Sequence, residues 1–254
     1  MNVQGIEVFV EGDGENTILM IHGWPDTYRL WDGQVALLKD RYRCARFSLP
    51  GFEVSQAARS VSLHEMIELF KAIADAVSPE KPVTLLLHDW GCVFGYQFAA
   101  KYPERVARIV GVDIGDSFSK KFLGALSGKV KLMIAAYQLW LALAYKLGGL
   151  GSVMTRWMAR KLSCKVDPSL IGAQQNYPYV LAWTGGFKQA VNFVPHCPFL
   201  YLYGKRKPFM FHSPQWLEKL AASPGSEVHG LATGHWVMVA DPVGFNQKLK
   251  AWLN

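Results

Sequence analysis

Cysteine is scarce: 254 residues hold only Cys44, Cys92, Cys164 and Cys197, all far apart. None forms the close pair that a zinc site or a redox dithiol needs, so four free thiols in a reducing, cytoplasmic compartment are expected. Long apolar runs are missing too. The longest, Leu132 to Tyr145, falls short of the roughly 20 residues that cross a bilayer as a helix, and reads as a buried or interfacial helix. Met1 to Val10 lack the basic stretch and apolar run of a secretory signal, so export is not expected. No histidine has ligand spacing, and no metal or cofactor is expected. Acid is nearly absent from one stretch: Ser117 to Ala190 carries ten Lys and Arg but a single acid, Asp167. That segment is therefore +9 and the remainder −2, so the formal +7 of the chain belongs to one region. A charge so confined removes the argument for a nucleic-acid partner that the total invites.

What is present is a core-forming composition, 50% hydrophobic and 19% charged. Short apolar runs recur at Thr17 to Ile21, Cys44 to Leu49, Val83 to Leu87, Val106 to Val112, Cys197 to Tyr203 and Glu227 to Ala232. Helix-length stretches such as Leu63 to Val77 and Gly91 to Tyr102 separate them, and one from about Pro242 to Leu253 closes the core. Apolar runs without alternation suit strands covered on both faces, so the rhythm predicts a mostly parallel, doubly wound α/β sheet. Ser213-Pro214 reads as an N-cap and first helical residue before Gln215. The rhythm stops after Asp116 and resumes near Cys197. We therefore expect a core formed by residues 1–116 and 191–254, with a helical cap over 117–190.

The chemistry-bearing residues sit at strand ends. Leu87-His88-Asp89-Trp90-Gly91 runs from a strand straight into a helix, and so sharp a turn needs a small residue where Gly91 stands. Asp89 would be lifted to the top of the sheet, facing a helix N-terminus that favours an anion. His22-Gly23-Trp24-Pro25-Asp26 can supply a backbone donor from Trp24, and its Trp-Pro bond suits a cis turn. Gly234-His235-Trp236 follows the last strand, where a general base could reach water beside Asp89. Plain structural readings stand beside these: Asp89 as a helix N-cap, His235 as a packed loop histidine, and likewise Asp113, after the strand Ile109 to Val112, as a turn cap and Tyr137, within the run Leu132 to Tyr145, as a core tyrosine. His22 and His88 read as supporting hydrogen bonders, and Cys92 as a packing residue.

The order HGWPD, HDWG, helical insertion, then GH before an apolar helix resembles the α/β-hydrolase fold over nearly the whole chain. Within it, the aspartate-nucleophile branch of epoxide hydrolases and haloalkane dehalogenases is the nearer likeness. HGWP resembles the oxyanion motif of epoxide hydrolases, whereas dehalogenases typically carry Asn or Glu after the HG pair. The resemblance implies Asp89 as nucleophile, His235 as base, Trp24 and Trp90 N–H groups as oxyanion hole, and two cap tyrosines on the epoxide oxygen. Tyr137-Gln138-Leu139-Trp140 resembles the segment of the first tyrosine. Tyr177-Pro178-Tyr179-Val180 resembles the second, with Tyr179 favoured and Tyr177 the alternative. Trp24, Trp90, Trp140 and Tyr177 are further candidates for contact with substrate.

Several residues depart from the family pattern. Leu87 replaces a common Gly, and Ser48 and Glu53 replace the usual Asp and Gly. Lys207 stands where the family usually has its catalytic acid, and a lysine cannot stabilise an imidazolium. Asp113, ending the preceding strand, is the first replacement and Asp116 the second. The expected reaction is opening of an epoxide through an Asp89 ester, without a cofactor. Haloalkane dehalogenation and a noncatalytic ligand-binding protein are the rivals. A cap rich in Leu, Trp, Tyr and Met suits a small apolar or aromatic substrate. Its basic residues fit either a solvated helix face or peripheral contact with an anionic membrane. Oligomeric state stays open.

Overall fold

The computed structural model describes residues 1–116 and 119–254; residues 117 and 118, the first two of the expected cap, lie outside the described residues. The first half of the core runs β1 (Asn2–Val3), β2 (Ile6–Glu11), β3 (Thr17–Ile21), α1 (Asp32–Leu38), β4 (Arg43–Phe47), α2 (Leu63–Val77), β5 (Val83–His88), α3 (Trp90–Lys101) and β6 (Val106–Val112). Helices α4 (Lys120–Ala125), α5 (Gly128–Lys146), α6 (Gly148–Lys161) and α7 (Tyr177–Trp183) follow. The chain then returns through β7 (Phe199–Gly204), α8 (Pro214–Ala221), β8 (Glu227–Leu231), α9 (Val237–Ala240) and α10 (Pro242–Leu253).

The eight strands form one sheet in the order β1-β2-β4-β3-β5-β6-β7-β8. From β4 to β8 all neighbours are parallel, and β1 and β2 add an antiparallel edge. Alternation along each central strand feeds two cores. Leu19, Ile21, Leu85, Leu87, Phe199 and Tyr201 pack on the side of α2 and α3. Ile18, Met20, Leu86, Leu200 and Leu202 pack with α1 and α10 on the other. Full burial of one such side chain is worth about 1.5–3 kcal/mol, so both faces are held by transfer from water and the runs show no polar alternation.

Helix α2 starts at Ser62, whose side chain accepts from the Glu65 N–H while Glu65 accepts from the Ser62 N–H, a capping box. The strand expected through Leu49 ends at Phe47, because the Leu49 N–H is taken by Nε2 of His22 and the chain leaves the sheet. The edge pair β1 and β2, not anticipated from sequence, turns through Gln4 and Gly5, both at positive φ.

Two side chains in the short 3-10 turn Ala173–Asn176 tie the helical insertion to the core. The Gln175 amide donates to the carbonyls of Pro25 (3.2 Å), Phe52 (2.9 Å) and Leu170 (3.0 Å). Asn176 accepts from the Trp24 indole N–H at 2.7 Å and donates to Thr155 at 2.7 Å. Both amides are fully buried and hydrogen-bonded, which is the condition for burying a polar group without a large cost.

Candidate active site

The parallel strands carry their carboxyl ends to one edge, where ligands meet open α/β sheets. Asp89 stands in the turn from β5 to α3 with φ 52° and ψ −120°. Non-glycine residues rarely adopt such a conformation, and it persists only where surroundings impose it. Gly91 makes the turn possible: a Cβ there would meet the Ile21 carbonyl oxygen at 2.4 Å. The loop after β3 is equally tight. A Cβ on Gly23 would come within 2.4 Å of Asp89 Oδ1 and 2.5 Å of the Trp90 nitrogen, so this loop, α3 and the carboxylate meet only because residue 23 is glycine. The Trp24-Pro25 peptide is cis.

Asp89 Oδ1 accepts the Trp24 N–H at 2.7 Å, and Trp90 opens α3 beside it. Asp89 Oδ2 faces His235 Nε2 at 3.2 Å. On the far side of the ring, His235 Nδ1–H donates to Asp113 Oδ2 at 2.5 Å. Asp113, fully buried at the end of β6, also accepts the Gly204 N–H at 2.9 Å and the Lys207 ammonium at 2.5 Å through Oδ1. A buried carboxylate with this many charge-assisted donors stays ionised. Lys207, at the place of the missing acid, thus salt-bridges the carboxylate that meets His235. Asp116, the second choice, is elsewhere engaged. It accepts from the Ser213 N–H and from the hydroxyls of Ser213 and Ser119, tying loops together, and does not hydrogen-bond His235.

The electrostatics follow from these pairs. Desolvation would lower the His235 pKa, but the Asp113 carboxylate bonded to it, with Asp89 on the other nitrogen, outweighs burial and raises it to about 9. Asp89 is desolvated as well, yet His235 and the Trp24 N–H hold it below the usual aspartate value, and His235 and Lys207 do the same for Asp113. His22 is pushed down to about 4 by burial and is neutral: its Nδ1–H donates to Gly23 O and its Nε2 accepts from Leu49 N–H, which fixes the loop carrying Trp24. His88, pushed down to about 3 by burial, contacts the His235 carbonyl at 3.3 Å.

A cavity of about 610 Å³ lies above Asp89, lined by Trp24, Asp89, Tyr137, Tyr179, Phe211 and His235 among others. Tyr137 comes from α5 and Tyr179 from α7, with ring centroids 6.1 Å apart. Burial, together with the Asp89 charge, raises both phenols, so they remain O–H donors at any physiological pH. Trp140 lines the same cavity and donates to the Met154 carbonyl. Two expected substrate contacts fall elsewhere. Tyr177 points away from the cavity, packs edge-on against Phe52 and is only 1% exposed, because residues two apart on a helix face opposite sides. The Trp90 ring stands behind Tyr179, between it and Phe187, although its backbone N–H adjoins Asp89.

Asp26 and Asn176 hold the site in ways the sequence does not announce, and Ser48 and Glu53 turn out to be partners. Asp26, the last residue of HGWPD, is buried and accepts from the Trp236 indole N–H at 2.9 Å; burial raises its pKa to about 7. Asn176 had no signal at all. Ser48 and Glu53, which both depart from the family pattern, meet in a hydrogen bond in which the Ser48 hydroxyl donates to Glu53 at 2.5 Å.

A family model described as the alpha/beta hydrolase fold matches residues 16–163, more than half of the chain. The chain belongs to the α/β-hydrolase fold family. Epoxide hydrolase 1 of Caenorhabditis elegans is 24% identical over 268 residues, covering 95% of this chain and 66% of that protein. The probable oxidoreductase EphD of Mycobacterium bovis is 34% identical over 113 residues, 42% of this chain. This chain spans only 19% of the length of that relative. The solved structure of an epoxide hydrolase from Bacillus megaterium superposes with a TM-score of 0.74 over 100% of this chain and 99% of that one, at 19% identity. That similarity concerns the fold, including the helical insertion.

Proposed function

We propose that this α/β hydrolase opens epoxides to diols through a covalent ester on Asp89. The observation that carries the reading is the carboxylate itself: Oδ1 is held by the Trp24 N–H, Oδ2 faces the cavity and His235, and two phenols share that cavity. Asp89 Oδ2 attacks an epoxide carbon, the C–O bond breaks, and the developing alkoxide takes a proton from Tyr137 or Tyr179. Donors placed where charge develops lower the barrier more than donors that meet the ground state.

Esterification removes the Asp89 charge and with it one of the anions that hold the His235 pKa near 9, so the imidazole moves toward neutrality when a base is needed. His235 then takes a proton from water, hydroxide attacks the ester carbonyl, and the Trp24 and Trp90 N–H groups meet the oxyanion. Collapse breaks the ester bond. Of the two water protons, one passes through His235 to the departing oxygen and the other, from the new Asp89 carboxyl, restores the phenol. Asp113 keeps the imidazole oriented and supports its positive charge.

The haloalkane reading has less behind it, since the Trp24 indole N–H is spent on Asn176 rather than aimed into the cavity. The apolar and aromatic lining favours an apolar or aryl substrate. Diol formation from a panel of such epoxides, with halide release from haloalkanes in parallel, tests the assignment. Halide without diol would replace it with dehalogenation.

A further inference from the structure

Helices α5 and α6 are apolar where a water-facing helix should not be. An ordinary surface helix has one apolar stripe turned inward and polar residues outside. In α5 the inward side carries Leu141 and Ala144, both buried, yet Leu132, Leu139 and Leu143 point to solvent at 72%, 48% and 51% exposure. Their spacing of 7 and 4 residues places them on one face. Leu147 follows four residues later, and α6 adds Leu150 at 75% and Val153 at 64% exposure. Trp140 and Trp157, with rings 5.2 Å apart, join the two helices into one surface. Isolated exposed leucines are normal, but a continuous apolar face is a contact surface.

Charge says what covers it. Lys129, Lys131, Lys146, Arg160 and Lys161 flank this face, and among the described residues no cation of the helical insertion forms an ion pair with a carboxylate. A second copy of the chain would set +9 against +9. A nucleic acid would meet leucines and tryptophans where it needs polar and basic contacts. An anionic lipid surface satisfies both parts, taking the leucines into the acyl boundary and the lysines onto its headgroups. Among the described residues no helix is long and apolar enough to cross a membrane, so the helices would lie on it.

We propose that the α5–α6 face is a docking surface for an anionic membrane. Met133, Trp140, Trp157 and Leu162 belong to the exposed apolar face and also line the cavity above Asp89. Docking would therefore turn the cavity mouth toward the bilayer, and a lipophilic substrate would enter without crossing water. This last step rests on the epoxide-hydrolase reading, whereas docking itself does not.

Vesicle flotation of the full chain separates the two. With vesicles containing phosphatidylglycerol at low salt, binding should exceed that to pure phosphatidylcholine vesicles at least tenfold and should collapse at about 0.5 M salt, where charges are screened beyond a few ångströms. The triple variant Leu132→Asp, Leu143→Asp, Leu150→Asp should lose at least tenfold in binding with an unchanged circular dichroism spectrum, since half or more of each side chain is already in water. Absence of wild-type binding at low salt would overturn the proposal. So would undiminished binding by the triple variant, or a dimer in sedimentation velocity that the triple variant dissolves, which would assign the face to a second copy. None of these results depends on activity toward epoxides.

Discussion

The sheet core and the helical insertion obey different rules. The core is slightly acidic overall, and its functional residues are fixed by backbone: Asp89 by a turn only Gly91 permits, Trp24 by a loop only Gly23 permits, and Asp113 by the end of β6. The insertion is strongly basic, and its contributions, Tyr137 and Tyr179, are side chains projecting from helices. A core position is thus set by covalent geometry and sheet register. An insertion position depends on which face of a helix turns inward. This predicts that loss of the core carboxylates Asp89 or Asp113 costs more turnover than loss of either phenol of the insertion.

The largest effect should come from Asp89→Asn, which removes the nucleophile: diol formation should fall by about 10³-fold or more with the fold intact by circular dichroism. Asp113→Asn should reduce the rate of ester hydrolysis on the order of 10³-fold, as expected when an imidazole loses its orienting carboxylate, while Asp116→Asn should leave that rate within a few-fold. Equal losses in the two variants would mean that the Asp113–His235 contact is not the working one.

On the insertion side, Tyr137→Phe and Tyr179→Phe should each slow alkylation by about 10²-fold in single-turnover measurements, with ester hydrolysis little changed. Slowing of both steps would blur the division between core and insertion. Tyr177→Phe should leave the rate alone. Its buried hydroxyl has no hydrogen-bond partner among the described residues, so removing it should leave the unfolding free energy unchanged or raise it by about 1 kcal/mol, read by thermal or denaturant unfolding.

Lys207→Met probes electrostatics rather than magnitude. Ester hydrolysis requires neutral His235, so its rate should rise with pH and level off above the histidine pKa in the ester. Removing the ammonium strengthens the field of Asp113 on the ring and raises that pKa, so the profile should move to higher pH. A shift to lower pH would mean that Lys207 does not act through Asp113.

The same contrast explains what could be read from sequence. The turn at Asp89 was legible because an apolar strand, an acidic residue and a required glycine are adjacent in the chain. Leu63 to Val77 and Pro242 to Leu253 were legible as helices because their period and end residues agree. The choice of Asp113 rested on its place at the end of a strand and on the likeness to dehalogenases that carry their acid there, but its pairing with Lys207 joins residues 94 apart and leaves no local trace. Asp26 was invisible as a perturbed acid for a similar reason, since Trp236, its donor, is 210 residues away. In α5 an apolar residue at nearly every position erases the period that would have said which side faces the core. Only the structure separates buried Leu141 from exposed Leu143, and it places Tyr179, favoured already by the sequence, on the cavity and Tyr177 away from it.

The central claim is a covalent bond between Asp89 and substrate, and intact mass spectrometry of a His235→Gln variant incubated with apolar and aryl epoxides tests it most directly. With the base removed, the account predicts a mass increase of one substrate molecule, mapped by digestion to the peptide containing Asp89. An unchanged mass with an epoxide that the wild-type protein converts to its diol would contradict it.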